Sequence, residues 1–320
     1  MEAMSDSDST TGDDLHSEPD HSERSGSPSP DGAHSVAADE GLRSGFVSLV
    51  GRPNVGKSSL VNRICAEKVS IVSKWPQTTR HRIMGVLHFE GGQMVFVDTP
   101  GLHKPVTALG ERVNATALES AGDVDVQCLV LDATKSFGRG DRWVASHLDM
   151  ERAVVIVNKV DIASPTQIAE MLREASALGA DAYFAVSAVT GDGIGDLIDD
   201  LAQRLPEGPA YFPTDVVSDV PEERQVAELV REQLLAVMRD ELPYAIATRV
   251  VEWEWPRIRV DILVERESQK GMVIGRGGEV LKLAGQRVRE QLPDGVFLEL
   301  RVKVDKNWQH RADRVERLGY

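Results

Sequence analysis

The chain has 320 residues, and its 36 Lys and Arg against 51 Asp and Glu give a formal charge of −15. At about 150 residues per domain this length predicts two domains, and the charge disfavours a uniformly basic nucleic-acid binder. No apolar run approaches the roughly 18 residues that span a bilayer, and two cysteines are too few for a disulfide framework, so we expect a cytoplasmic protein.

The negative charge is unevenly distributed. Residues 1–44 carry a net −9, are dominated by Ser, Asp, Gly and Pro, and have almost no large apolar side chain. Such a segment cannot offset its ordering entropy, which predicts a disordered acidic tail. Residues 45–221 carry −6 and residues 222–320 are neutral, but residues 270–320 have a local excess of +4.

Five short apolar runs follow the tail, separated by stretches long enough for helices. They cover residues 46–50, 94–97, 126–132, 154–158 and 183–187. This alternation is typical of a parallel α/β sheet. The four prolines of residues 205–221 then break the pattern, which indicates a linker.

The remaining residues predict the order α-β-β-α-β-α. We expect helices over residues 222–240, 279–291 and 308–318, and strands over residues 244–254, 257–265 and 296–304. The predicted division is a tail (1–44), an α/β P-loop domain with a mostly parallel sheet (45–205), a linker (206–221) and an α+β domain (222–320).

The strongest motif is GRPNVGKS at residues 51–58, which matches the phosphate loop G-x-x-x-x-G-K-[ST] directly after an apolar run. Backbone N–H groups of such a loop surround a β-phosphate, with the next helix pointing its positive end at the same anion. We expect Lys57 to neutralise β- and γ-phosphate charge and the hydroxyl of Ser58 to coordinate Mg²⁺.

Three further motifs follow later apolar runs. DTPG at residues 98–101 offers Asp98 for the Mg²⁺ shell and the Gly101 N–H for a γ-phosphate. NKVD at residues 158–161 offers the Asp161 carboxylate for N1–H and N2–H₂ of guanine, a donor pair that adenine lacks. Ser187 and Ala188 can reach guanine O6 through a backbone amide.

A polar loop, KWPQTTRH at residues 74–81, lies between the first two motifs and can close over the nucleotide. A threonine hydroxyl there would complete the Mg²⁺ shell, but spacing does not choose between Thr78 and Thr79. Leu102 follows DTPG where Ras-type enzymes have the glutamine that orients water. A leucine cannot do this, so slow intrinsic hydrolysis is expected.

The motif GRGG at residues 275–278 precedes a predicted helix in the second half. A G-x-x-G turn with a basic middle residue is the KH arrangement, which holds about four single-stranded nucleotides. Lys270, Arg276, Lys282, Arg287 and Arg289 are candidate phosphate contacts.

Together these motifs resemble the Era family of bacterial GTPases over residues 44–320. The resemblance implies a TRAFAC-class GTPase with a hydrophobic residue at Leu102, joined to a type II KH domain. It also implies a K⁺ ion near Asn54, binding to 16S rRNA near its 3′ end and a role on the 30S subunit.

The predicted site residues form three sets. The predicted catalytic residues are Lys57, Thr79, Asp98 and Gly101, and the predicted metal ligands are Ser58 and Thr79. For GTP or GDP they are Gly51, Arg52, Pro53, Asn54, Val55, Gly56, Lys57, Ser58, Ser59, Gln77, Thr78, Thr79, Asp98, Thr99, Pro100, Gly101, Leu102, Asn158, Lys159, Asp161, Ser187 and Ala188. For RNA they are Lys270, Gly275, Arg276, Gly277, Gly278 and Lys282.

The sequence therefore predicts a monomeric, GTP-switched RNA-binding factor for small-subunit assembly. One alternative is a membrane-associated or cell-division GTPase at the inner face of the membrane, whose C-terminal domain binds protein or lipid. Another is a nucleotide kinase, which would not need the guanine motif at residues 158–161.

Overall fold

The computed structural model describes residues 41–103, 105 and 107–320. The predicted acidic tail lies almost wholly outside this range. Its last two residues, Arg43 and Ser44, belong instead to the first strand, where they pair in register with the third strand.

A six-stranded sheet forms the first half of the described chain. Its strands are β1 (Arg43–Gly51), β2 (Ile83–Phe89), β3 (Gly92–Asp98), β4 (Val126–Asp132), β5 (Val154–Asn158) and β6 (Ala182–Val186). The spatial order is β2-β3-β1-β4-β5-β6, and every pair is parallel except β2 with β3. Side chains of β1, β3, β4 and β5 are almost all buried between flanking helices, as expected for parallel strands covered on both faces.

Five helices flank this sheet: α1 (Lys57–Ile64), α2 (Ala108–Gly122), α3 (Arg139–Ala145), α4 (Pro165–Ser176) and α5 (Ile194–Arg204). Their starts follow local sequence. At α4, the Ser164 side chain accepts a hydrogen bond from the Gln167 N–H, and the Gln167 side chain accepts one from the Ser164 N–H. Pro165 occupies the first helical position. The predicted parallel α/β sheet is confirmed, but β2 was missed.

The segment between the two halves is tied to the edge of the first sheet. The Val86 N–H donates to Val217 O at 2.8 Å, and the side chain of Gln93 accepts from the backbone N–H of Tyr211 at 2.8 Å. Although rich in proline, residues 205–221 therefore pack along β2 and β3.

The second half packs five helices on a three-stranded sheet. Its elements are α6 (Glu222–Val237), α7 (Leu242–Ala245), β7 (Ala247–Glu254), β8 (Arg257–Val264), α8 (Glu267–Ile274), α9 (Glu279–Arg289), β9 (Phe297–Val304) and α10 (Ala312–Arg317). The sheet order is β7-β8-β9, with β7 antiparallel and β9 parallel to β8. The apolar faces of α6 and α9 cover its inner side and bury Val230, Val260 and Val288.

Two expectations for this half need correction. Helix α8 lies directly before the glycine motif, whereas the predicted order has no helix between the strand at residues 257–265 and the glycine turn. The residues before β7 form the short helix α7, which Pro243 helps to begin, so β7 starts at Ala247. The observed order is thus α-α-β-β-α-α-β-α.

Both cysteines are buried. Burial raises the pKa of the Cys65 thiol to about 12, and burial likewise raises the pKa of Cys128. Among the described residues no helix is both long enough and apolar enough to cross a bilayer.

Candidate functional site

The phosphate loop joins the end of β1 to the start of α1. Gly56 has φ 101°, and a Cβ there would lie 2.3 Å from the side-chain nitrogen of Asn158. At Gly51 a Cβ would lie 2.5 Å from Val130 O. Both positions therefore require glycine, and the loop they shape directs backbone N–H groups towards one point at the N-terminus of α1.

Lys57 lies at the bottom of this loop and is buried. Its Nζ donates to Gly51 O and Arg52 O, each at 3.2 Å. Burial lowers the pKa of Lys57 to about 8, although the Asp98 charge opposes the change. An anion in the loop would restore the charged state that burial disfavours.

Ser58, Thr79 and Asp98 meet beside Lys57. Ser58 Oγ and Thr79 Oγ1 are 2.8 Å apart, and Asp98 is fully buried with both carboxylate oxygens lacking a hydrogen-bond partner among the described residues. Burial raises the pKa of Asp98, and Lys57 opposes this rise. An orphaned carboxylate beside two hydroxyls fits a small, hard cation such as Mg²⁺.

The hydroxyls of Thr78 and Thr79 make different contacts. Thr78 Oγ1 donates to Trp75 O at 2.7 Å and contacts Ser73 Oγ at 2.6 Å, so it is engaged within its own loop. Thr79 Oγ1 instead points at Ser58. The geometry favours Thr79 as the metal ligand.

A cleft of about 740 Å³ opens above the phosphate loop. The predicted residues that line it are Arg52, Pro53, Asn54, Val55, Gly56, Lys57, Ser58, Ser59, Gln77, Thr78, Thr79, Gly101 and Lys159. Three other predicted residues are buried and do not line the cleft. The Thr99 hydroxyl donates to Leu49 O at 2.7 Å, and Pro100 and Leu102 are also buried.

The guanine motif is tied to the phosphate loop. The Asn158 side chain donates to Val55 O at 3.0 Å and accepts from the Ala188 N–H at 3.1 Å. Lys159 Nζ donates to Asn54 O at 2.6 Å and to the Asp132 carboxylate at 2.7 Å. The phosphate loop and the guanine motif are therefore one hydrogen-bonded unit, although of the residues predicted to contact the base only Lys159 lines the cleft.

Asp161 is positioned by the loop after β6. Ser187 Oγ donates to Asp161 Oδ1 at 2.7 Å, and Ser187 is itself fully buried. Asp161 is exposed, so the carboxylate is oriented from one side and open on the other. This is the arrangement that can accept the paired N–H groups of guanine.

The glycine loop at residues 275–278 joins α8 to α9 through a short 3₁₀ turn. Gly275, Gly277 and Gly278 all have positive φ, and a Cβ at Gly275 would lie 2.6 Å from Val280. Arg276 and Lys282 are exposed and Lys270 is half-buried. Next to the loop, Met272 is 61% exposed, which gives an apolar surface beside the cations.

Sequence reasoning missed the residues through which the loop at residues 74–81 is held by the C-terminal half. The Arg231 guanidinium donates to Thr78 O and pairs with Glu228. Arg80 donates to Ile246 O at 2.7 Å and lies 5.7 Å from the ring centroids of Trp308 and Tyr320. The motif pattern gave no sign of these contacts, since the partners are more than 140 residues apart.

Helix α2, which follows DTPG, also contacts the C-terminal half. Leu109 and Val113 pack in one cluster with Trp308, Val315 and Tyr320. The segments that follow Thr79 and Gly101 therefore both lie against the same group of side chains.

The sheet order, the phosphate loop after β1 and the base motif after β5 define a P-loop GTPase domain, and the glycine loop between two helices on a three-stranded sheet defines a KH domain. The family described as 50S ribosome-binding GTPase matches residues 46–159, and the KH domain family matches residues 241–309.

Individual proteins extend this likeness over most of the chain. GTPase Era of Mycobacterium tuberculosis strain H37Rv is 44% identical over 298 residues, which cover 87% of this chain and 99% of that protein. The match to GTPase Era of Mycolicibacterium paratuberculosis is also 44%, over 296 residues. A crystal structure of Era in complex with MgGDPNP and nucleotides 1506–1542 of 16S ribosomal RNA superposes with a TM-score of 0.82 at 32% identity and covers 87% of this chain and 99% of that one. The chain belongs to the Era family of GTPases, and it hydrolyses GTP.

Proposed function

We propose that this GTPase binds 16S rRNA near its 3′ end, assists assembly of the 30S subunit and changes its RNA affinity with the bound nucleotide. The observation that carries the switching is the position of Thr79. Its hydroxyl lies at the cation site, while Thr78 and Arg80 on either side of it are bound by the C-terminal half.

The proposed roles at the nucleotide follow from the contacts. Lys57 neutralises phosphate charge, Ser58 and Thr79 hold Mg²⁺ with Asp98 behind them, and the Gly101 N–H meets the γ-phosphate. The hydroxyl of Thr79 would be a ligand of a bound Mg²⁺, beside that of Ser58. Thr78 and Arg80 are the chain neighbours of Thr79. A shift of Thr79 must therefore move both of them.

The RNA side of the proposal rests on the glycine loop. No atom beyond the adjacent backbone lies within 4 Å of a Cβ placed at Gly277 or Gly278, and the exposed side chains of Arg276 and Lys282 supply positive charge beside them. RNA strands bind KH domains through such a loop, with phosphates against the backbone and bases on apolar side chains. The relative bound to a fragment of 16S rRNA supports rRNA as the ligand.

The proposal is tested by measuring the affinity of a single-stranded oligonucleotide from the 3′ end of 16S rRNA with GDPNP and with GDP bound. We expect the two affinities to differ by about tenfold or more, a coupling free energy of about 1.4 kcal/mol. Equal affinities would contradict the proposed nucleotide switch but not the proposed RNA binding. If the oligonucleotide binds in neither nucleotide state, both the RNA binding and the switch are contradicted.

We also propose a K⁺ ion at the phosphate loop, with Asn54 as a ligand. Asn54 lines the cleft, and its side-chain nitrogen donates to Lys74 O at 2.7 Å, which leaves its side-chain oxygen for a cation. GTP hydrolysis should be faster in KCl than in NaCl at equal ionic strength, and Asn54→Ala should abolish the difference.

The monomeric state, the cytoplasmic location and attachment to the inner face of the membrane stay predictions. Light scattering of the purified chain tests the first. Flotation with anionic liposomes beside the oligonucleotide assay separates the RNA-binding proposal from the membrane alternative.

A further inference from the structure

Leu102 cannot position the water that attacks GTP. Its side chain is 1% exposed and packs in the core beneath β1 and β4, and its N–H donates to Gly51 O at 3.2 Å. The position at which many GTPases carry a water-orienting glutamine is thus turned away from the cleft.

A glutamine reaches the cleft from the other side. Gln77 lines the cleft in the same loop as Thr79, and its Nε2 lies 2.8 Å from Nε2 of His103. Because the nitrogen of a carboxamide can only donate, His103 Nε2 accepts. His103 Nδ1 lies 3.2 Å from Gly101 O, a carbonyl that can only accept, so Nδ1 carries the proton. Both contacts are satisfied by one neutral tautomer.

His103 is itself held from behind. The Asn114 side chain, on α2, donates to His103 O at 2.5 Å and accepts from the His103 N–H at 3.4 Å. Asn114 is buried. The backbone of His103, two residues after Gly101, is therefore fixed to the helix that follows DTPG, and the ring is held through its own contacts to Gln77 and Gly101.

Gln77 is held in an unfavourable backbone conformation. Its φ is 63°, a left-handed value that costs a residue with a Cβ about 1 kcal/mol. Glycine would adopt this conformation freely, yet the chain places a carboxamide at this position in the cleft.

We propose that the Gln77 carboxamide orients the hydrolytic water and that His103 is the positioning residue that holds it. With one N–H donated to His103, Gln77 keeps its Oε1 to accept a hydrogen from water and its second N–H to donate. The water oxygen forms a bond to the γ-phosphorus as the bond to the β–γ bridging oxygen breaks and its electron pair leaves with GDP. The water protons pass to phosphate and solvent, because a carboxamide is not a base.

The test is single-turnover hydrolysis at saturating GTP and Mg²⁺, with nucleotide affinity measured separately. Gln77→Ala should lower the rate constant by about 30-fold, and His103→Ala by about tenfold, with GTP affinity within twofold of wild type. The double variant should match Gln77→Ala alone, because His103 acts through Gln77. His103→Gln keeps an acceptor for the Gln77 N–H and should recover part of the lost rate.

Gln286 is an exposed glutamine on α9, and Gln286→Ala is the matched control. This variant should leave the rate constant and the GTP affinity unchanged. A wild-type rate in Gln77→Ala overturns the proposal, as does a double variant whose loss is the product of the single losses. A loss that falls on GTP affinity instead of the rate constant also overturns it, since Gln77 would then bind nucleotide without orienting water. Melting temperatures confirm that each variant is folded.

Discussion

The guanidinium of Arg80 donates a 2.7 Å hydrogen bond to the carbonyl of Ile246, where the loop at residues 74–81 meets the KH domain. A second bond, 3.0 Å long, runs to Tyr244 O. Burial lowers the pKa of Arg80, an effect that the Tyr320 ring opposes. A charge is thus buried at the junction of the two domains; its two terminal nitrogens donate to backbone carbonyls, whereas its Nε has no hydrogen-bond partner among the described residues.

Arg80→Ala should therefore weaken both stability and coupling. Losing two hydrogen bonds from a charged donor should lower the free energy of unfolding by about 3 kcal/mol. The ratio of RNA affinities with GDPNP and GDP should approach one, while GDP affinity stays unchanged. Arg82→Ala is the control, because Arg82 is exposed and its guanidinium contacts the Met84 sulfur. A preserved affinity ratio in Arg80→Ala would place the coupling elsewhere.

Nucleotide binding should depend on pH through Lys57. With a pKa of about 8, the free side chain loses its charge above that pH, and bound phosphate must return a proton to it. GDP affinity should fall by about threefold between pH 7.5 and pH 8.5. Calorimetry in two buffers of different ionisation enthalpy should show proton uptake at the higher pH. Absence of uptake would contradict the low pKa, and Lys57→Ala should abolish binding throughout.

Asp161→Asn should relax the preference for guanine. The carboxylate can accept from two guanine N–H groups, whereas an amide places a donor there that suits the 2-oxo group of xanthine. Ser187 still supports the side chain, because either residue accepts its hydrogen bond. We expect competition binding to show at least a 100-fold loss of GDP affinity and a gain for XDP. Unchanged GDP affinity would exclude Asp161 from base recognition.

The two ends of the glycine loop should respond differently to substitution. A Cβ at Gly278 meets open space although φ is 81°, so Gly278→Asp strains the loop backbone locally and adds negative charge where phosphates would lie. It should lower RNA affinity at least tenfold with GDP affinity unchanged. Gly275→Ala instead forces a Cβ to 2.6 Å from Val280 and should lower the melting temperature. Loss of GDP binding in Gly278→Asp would show that the domains do not divide the two tasks.

His81 should make stability fall in mild acid. It is stacked on Tyr320 at 4.6 Å, and burial lowers its pKa to about 4, with Glu228 opposing and Arg224, Arg231 and Arg80 assisting. Between pH 6.5 and 4 the unfolded chain binds a proton that the folded chain excludes. The free energy of unfolding should therefore decrease by up to about 3 kcal/mol as the pH is lowered from 6.5 to 4. Above pH 6.5 His81 should cause no pH dependence. Urea unfolding of His81→Phe, which keeps the ring, should lack that part of the slope. An identical pH profile in the two proteins would exclude His81 as the cause.

The sequence predicted the buried parallel strands and the four nucleotide motifs because each is a local pattern with its own chemistry. Strand β2 was missed although five of its seven residues are apolar, because Gly85 and His88 interrupt the apolar run. Helix α8 was missed because Gly271 lies inside it and its apolar residues cluster at one end. The contacts of Arg80, Arg231 and His103 join residues distant in the chain, or in separate loops, and no spacing rule encodes them.

The two buried thiols give this chain a practical advantage for spectroscopy. With pKa values raised by burial, Cys65 and Cys128 hold almost no thiolate at neutral pH, and thiol-reactive dyes attack thiolates at exposed sites. Cysteines introduced at the exposed positions Arg276 and Glu170 should therefore label selectively without first removing the native pair. Fluorescence energy transfer between those dyes can then report the distance between the two domains during turnover.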